Sequence, residues 1–488
     1  MMKKIRLFIF LSAATLPLKK TFAQIEMSSF TATGRAGVSS TLLSDYQCQG
    51  INPANLAYRP ERKNRNFALG FGEMGFSIYS DALNRVNLAS ALFNPEKQLS
   101  AAEKKRAAQD FTNKALTVNL DLLYGGFSWQ SEDGIMGFAF TIREKAQWYS
   151  KFSQLSSEIM FNGINAQFQN SITGKLEYYF KKYPDLSQLS PGDSIGIRDS
   201  LSAFKLSKIL DGSRIAMAWN REYAFDFGLN VFSSYDFKLN AGIGLRYIQG
   251  IGYIDLQSVN GEYKAVIAAS PAFGIEFPVK SPDSVNTGFL PNAAGSGAGL
   301  EVGASAEFGD NWRLAASITD IGAVSYKTNV YTANDGPLTN LSTTGFTNYN
   351  FFKNASQFDG FTREMVKWQS NEKKTIGLPS KVRLGGSYTS KVINFGFDVV
   401  APMNSVSGNI LKPVASLGAE LKILGILRLG SGIMVGGNYT YALVPAGITF
   451  STVGGYYEMG IATRDIFTYL RSNNPMLSLS TGFMRFRF

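Results

Sequence analysis

Phe237–Tyr247, FKLNAGIGLRY, alternates without a break. Phe237, Leu239, Ala241, Ile243, Leu245 and Tyr247 fall on one side, and Lys238, Asn240, Gly242, Gly244 and Arg246 on the other. A period of two makes this a β-strand with one apolar and one polar face. The pattern recurs along the chain. Leu116, Val118, Leu120 and Leu122 oppose Thr117, Asn119 and Asp121; Met136, Phe138, Phe140 and Ile142 oppose Ala139, Thr141, Arg143 and Lys145. Phe395, Phe397 and Val399 alternate with Gly396 and Asp398. Each run is about ten residues, the length a tilted strand needs to cross a bilayer. Alternation does not say which face points outward. A barrel in lipid turns its apolar face out and a soluble β-sandwich turns it in, so connections and chain ends must decide.

Fourteen strands are expected, starting near residues 66, 116, 135, 213, 237, 298, 312, 380, 393, 413, 426, 445, 456 and 476. The long joins, 81–115, 150–212, 257–297 and 328–378, fall on one side if the first strand starts in the periplasm. Short turns such as Ser131–Gly134 and Gly309–Asn311 fall on the other. Even strand number with long outer and short inner connections is the habit of outer-membrane barrels. One outer join opens on Ser100-Ala101-Ala102-Glu103, a capping box that predicts a helix over 101–112.

The start of the chain reads as an export signal over residues 1–23. Lys3, Lys4 and Arg6 precede a short apolar run, Leu7–Leu18, and Thr21-Phe22-Ala23 supplies an A-x-A-like cleavage site. The run is too short to span a membrane. No later stretch gives 18 uninterrupted apolar residues: LKILGILRLGSGIMVGG is broken by Lys422 and Arg428. If this chain enters a membrane it does so as a closed barrel, since only helices and closed barrels satisfy their backbone hydrogen bonds in lipid.

Composition removes several functions. The chain has no histidine, which excludes Ser–His–Asp and Cys–His catalysis and His-ligated zinc. A non-enzymatic protein without cofactor or metal is expected. Cys48 is the single cysteine, so no internal disulfide can form. Five of the positive charges behind the net +11 leave with the signal, and no dense Lys/Arg run marks a nucleic-acid partner. PNAAGSGAG, Pro291–Gly299, reads as a flexible strand entry. It is no nucleotide loop, because Leu300 stands where a third glycine is needed.

Between the signal and the first strand lies GINPANLAY, Gly50–Tyr58. Pro53 lacks an N–H and confines its predecessor to extended shapes, while Asn52 can bond neighbouring backbone; together they make a rigid turn. At the other end, LSLSTGFMRFRF closes on Phe488 with Phe486 and Met484 on the same face.

GINPANLA resembles the Asn-Pro-Ala motif of the long-chain fatty-acid transporter superfamily and its Bacteroidota relatives. WRLAASITDIGAVSY, Trp312–Tyr326, resembles their strand followed by an Asp-Ile/Leu-Gly turn, here Asp320, Ile321 and Gly322. LPSKVRLGGSY and the C-terminal blocks are similar to an uncharacterised Bacteroidota outer-membrane barrel family. The C-terminal Met484, Phe486 and Phe488 resemble the signature read by the barrel-assembly machinery. The resemblance implies an all-β transmembrane antiparallel barrel of about fourteen strands over 66–488. It also implies an N-terminal luminal hatch over 24–65 carrying Asn52, Pro53 and Ala54, and long, partly helical outer loops. It carries no substrate.

The expected function is passage of small hydrophobic molecules through the outer membrane of a Gram-negative bacterium. The alternative is a scaffold or accessory barrel of type IX secretion, gliding or surface assembly, with a surface or secretion partner. Outer-membrane lipid and the assembly machinery are expected partners. Candidate lumen-lining residues are Arg143, Lys145, Lys238, Arg246 and Glu301, with simple solvation as the plainer reading. Asp193, Asp199 and Asp283, each in an Asp-Ser-aliphatic triplet, are candidate O-glycosylation sites.

Overall fold

Fourteen antiparallel strands close on themselves in the computed structural model, which describes residues 29–58, 65–82, 94, 97–169, 195–198, 205–270, 291–335, 340–348, 366–410, 412–437, 439–467 and 476–488. They are β1 (Phe67–Ser80), β2 (Ala115–Gln130), β3 (Met136–Lys151), β4 (Arg214–Ser233), β5 (Phe237–Val259), β6 (Gly295–Phe308) and β7 (Trp312–Tyr326). The circuit continues with β8 (Lys381–Thr389), β9 (Ile393–Pro402), β10 (Val414–Ile423), β11 (Leu427–Gly436), β12 (Ala446–Ser451), β13 (Tyr457–Thr463) and β14 (Met476–Arg487). Each pairs with the next, and β14 returns to β1 from Ala68↔Arg487 to Tyr79↔Met476. The fourteen-stranded barrel expected from the alternation is borne out, with every strand starting within three residues of its expected place. The signal segment and the candidate modification sites Asp193, Asp199 and Asp283 lie outside the described residues.

Which face points outward is now decided. Along β5, Ile243, Leu245 and Tyr247 are 47%, 58% and 52% exposed, while Asn240, Gly244 and Arg246 are buried. Along β9, Phe395, Phe397 and Val399 are exposed, and Asn394 and Asp398 are buried. A water-soluble sandwich would do the reverse, since apolar area left in water costs about 25 cal/mol per Å². The wall is built for lipid, which removes the soluble-sandwich reading. Phe237 to Tyr247 at about 3.3 Å per residue and roughly 40° tilt gives an apolar band about 25 Å tall. Aromatic rings ring the short-turn end: Phe67 with Phe127, Phe237 with Phe308, Trp312 with Tyr388 and Tyr457 with Phe486 have centroids 5.0–6.0 Å apart. Such a girdle marks a membrane–water interface. Among the described residues no helix is long and apolar enough to cross a membrane.

Replacing Ile243, near mid-band, by arginine places a charge in hydrocarbon, at a cost of about 2–4 kcal/mol. A fall in the denaturant midpoint of vesicle-inserted protein, absent for the same change at the rim residue Lys238, is the expected result.

Among the described residues, the short turns that join consecutive strands of β1–β14 lie at the end where Phe67 and Phe488 meet. At the far end the connections carry structure. Helix α2 (Ala101–Phe111) follows α1 (Phe30–Thr33) of the N-terminal segment. Ser100 accepts from the Glu103 N–H and Glu103 accepts from the Ser100 N–H, so the expected capping box forms. α3 (Gln154–Asn162) packs on α2 through Phe111 and Phe161, centroids 5.1 Å apart, and α4 (Leu206–Leu210) leads into β4.

Two expectations need correction. The join expected over 257–297 is partly strand: β5 runs to Val259 and turns into Glu262–Ala269, which pairs with Val330–Asp335. Gly295 and Gly297 already belong to β6. The Asp-Ile-Gly triplet is no turn after a strand. It is a bulge inside β7, where pairing steps from Ile318↔Val302 to Ile321↔Leu300 and Asp320 takes φ 61°. The extra residue re-aims a side chain, as bulges do.

Candidate functional site

Residues 29–58 lie inside the periplasmic end of the barrel, and none of them is exposed. The segment has α1, a 3₁₀ turn at Asp45–Cys48 and another at Pro53–Ala57. It fits because the wall is notched with glycine at its height. A Cβ on Gly482 or Gly460 would strike the Phe30 ring, and one on Gly447 the Gly34 backbone. Cβ atoms on Gly418 and Gly396 would meet Arg35 and Val38. Gly303 and Gly242 face Asn52 and the Pro53–Ala54 backbone, Gly137 faces Leu56, and Gly126 and Gly70 face Tyr46. Here glycine serves close approach of backbone rather than an unusual φ.

Wall side chains then fasten the segment. Asp398 Oδ2 accepts from the N–H groups of Ser39 and Ser40 at 2.8 and 2.9 Å and from both hydroxyls at 3.2 and 2.9 Å. Glu73 accepts from the Tyr46 hydroxyl at 2.5 Å and from the Gln47 amide. Arg35 pairs with Glu420 at 3.1 Å, and Asp45 with Arg485 and Arg487 at 2.7 and 3.0 Å. The buried Arg313 guanidinium donates to the Thr41 carbonyl and to Asn55 Oδ1 and lies over the Tyr58 ring. Buried charges are tolerable only when bonded in this way.

The motif residues sit at the centre of this arrangement. Asn52, Pro53 and Ala54 are fully enclosed. Asn52 Oδ1 accepts from the Ala54 N–H at 3.1 Å, capping the 3₁₀ turn, and its Nδ2 donates to the Ala304 carbonyl of β6. Asn55 donates to the Ser40 and Leu43 carbonyls, tying the two halves of the segment together. Burial, and next the Glu73 charge, push the Tyr46 hydroxyl well above its usual range. Burial likewise raises the Cys48 thiol, with the Asp226 charge adding to it. Cys48 is therefore an unreactive packing residue.

Above the plug the lumen is divided. On the β3–β7 side Arg246 contacts Glu301 at 2.9 Å, Asp320 at 2.8 Å and Glu222 at 3.2 Å. Lys145 reaches Glu222 at 3.0 Å, and Arg143 faces Asp121 at 3.6 Å. Four of the five candidate lumen residues, Arg143, Lys145, Arg246 and Glu301, thus share one charged wall. Lys238 has the same inward parity but stands exposed at the periplasmic rim. On the opposite side Tyr79, Val400, Val414, Met434 and Met476 point inward and pack with Ala36 of the plug and with Ile410 and Leu443 of the outer loops. The Tyr79 ring meets Tyr439 edge-on at 5.1 Å. Met484 and Phe488 face outward at the rim, and Phe486 stacks beside Phe488.

The anchors Glu73, Asp398, Glu420, Arg313 and Arg485 were not singled out from the sequence. Their signal was present: each is a charge on the polar side of an alternating strand.

Residues 214–451 match the model of a family of unknown function, DUF5723. No curated protein matches. Among solved structures the chain is similar to the Pseudomonas putida toluene transporter TodX, at 13% identity over 96% of this chain and 99% of that one, TM-score 0.42. It is similar to the Ralstonia pickettii toluene transporter TbuX, at 8% identity over 94% and 98%, TM-score 0.46. A Pseudomonas aeruginosa FadL homologue aligns at 10% identity over 95% and 98%, TM-score 0.41.

Proposed function

We infer that the protein lets small hydrophobic molecules pass the outer membrane, with the plug as the barrier they must get by. The observation that carries this is the apolar wall inside the lumen. A barrel interior is normally polar, yet Tyr79, Val400, Val414, Met434 and Met476 gather into one buried inward patch directly above the plug. A neutral apolar molecule gains from such a surface, and a charged one does not. Export by residues 1–23 and recognition of Met484, Phe486 and Phe488 by the barrel-assembly machinery would bring the chain to that membrane.

Met434→Glu sets a carboxylate in the patch and leaves the lipid face untouched. Cells carrying it should take up a neutral naphthylamine dye about tenfold more slowly than wild type at equal barrel abundance. Unchanged uptake would remove the patch from the pathway.

A scaffold role in secretion, gliding or surface assembly is the second reading, favoured by the ordered outer helices α2 and α3 with Phe111, Phe161 and Phe346 packed between them. Extraction in mild detergent should then yield a stable complex with a partner protein; a barrel recovered alone speaks for passage.

A further inference from the structure

Asp226, Gly244 and Glu301 stand in one row on β4, β5 and β6, with Asp226↔Gly244 and Gly244↔Glu301 as register partners. All three point into the lumen. Because Gly244 has no side chain, the carboxylates on either side lean together over it. A Cβ at Gly244 would stand 2.6 Å from Glu301 Cγ and 2.8 Å from Asp226 Cγ. Both acids are 0% exposed. Glu301 is provided for: Arg246 lies at 2.9 Å, and the Gly50 N–H of the plug donates to its other oxygen at 2.9 Å. Asp226 is less well served: the Gln49 side chain of the plug lies beside it, but neither oxygen receives a hydrogen bond of good geometry. A buried carboxylate left so is strongly disfavoured.

The charge count points the same way. Arg246 joins Glu301, Asp320 and Glu222. Lys145 adds a positive charge at Glu222, and Lys381 one at Asp320, 3.6 Å away. With Asp226 the group holds four carboxylates against three cations. From the plug, Cys48, Gln49 and the Gly50 N–H face it, and they bring no cation. One negative charge is in excess, and the less well served acid is where it falls. Two carboxylates that share a site do not both ionise readily.

We propose that Asp226 and Glu301 form a proton-binding site, holding one proton between them at neutral pH directly beside Gly50 of the plug. The proton makes the row neutral and gives Asp226 an O–H to donate. Its loss would put a second negative charge beside the one acid that grips the plug backbone at Gly50. The site depends on plug geometry, not on what the barrel transports.

The test is the infrared carbonyl band of a neutral carboxylic acid, recorded on the folded wild-type barrel, on Asp226→Asn and on Glu301→Gln, with heat-modifiable gel mobility as the check of folding. The expected result is a band in the wild type at neutral pH that disappears in both variants. Each variant removes one of the four carboxyl groups, so the remaining three match three cations and all ionise. Either variant suffices if the other does not fold. Absence of the band from the wild type, or its persistence in a folded variant, overturns the proposal.

Discussion

Asp398→Ala releases the first half of the plug. Four donors from Ser39 and Ser40 converge on one oxygen of this carboxylate, and Arg383 of β8 adds an opposite charge. Alanine leaves two buried N–H groups without an acceptor and a buried arginine with less compensation. Orphaned buried groups cost about 1–3 kcal/mol each and broken buried charge contacts about 3–5 kcal/mol. A loss of about 3–5 kcal/mol in local stability is expected. Since 1.4 kcal/mol is a factor of ten, hydrogen-exchange protection of the Ser39 and Ser40 amides should fall at least about 100-fold. Asp398→Asn keeps an acceptor and should fall between. Protection unchanged in the alanine variant would mean the plug is held elsewhere.

Gly242→Val attacks the second half from the wall. A Cβ there meets the Pro53 carbonyl carbon and oxygen and the Ala54 nitrogen, all main-chain atoms that cannot rotate aside. Overpacking costs about 1–3 kcal/mol in cores that can adjust; a rigid strand pressing on a proline turn belongs at the upper end. The barrel should still close, because Gly242 makes ordinary ladder pairs with Gly228 and Gly303. The displaced plug should expose Cys48, which is 0% exposed in the native fold. Labelling by a charged maleimide, negligible in the wild type until denaturation, should become rapid in Gly242→Val. Continued protection in a folded variant would contradict the close packing at Asn52–Ala54.

The two halves of the molecule were not equally legible in the sequence. The wall was, because a strand between lipid and lumen must alternate: FKLNAGIGLRY states its two faces residue by residue, and turns such as Gly309–Asn311 mark its ends. Alternation could not say which face was out. Burial of Arg246 and exposure of Leu245 on the same strand settle that. The β7 bulge was misread as a turn, since Asp320 and Gly322 look the same in sequence whether the chain reverses or takes in one extra residue. The plug has no period to read. Its rigid element, Asn52-Pro53, was visible, but its place is set by glycines on distant strands and by single charges such as Asp398 and Glu73. Each of these looked like an ordinary polar position facing a wet lumen. The charged row at Gly244 was half visible: Arg246 and Glu301 stood out, whereas Asp226, between two phenylalanines, did not.

The claim on which the rest depends is that residues 29–58 close the barrel. Ion conductance of the purified protein in planar bilayers tests it most directly, comparing the full mature chain with one lacking residues 29–58. The closed plug predicts no steady open-pore current from the full chain and a stable, large conductance from the shortened one. Equal conductance from the two would contradict it.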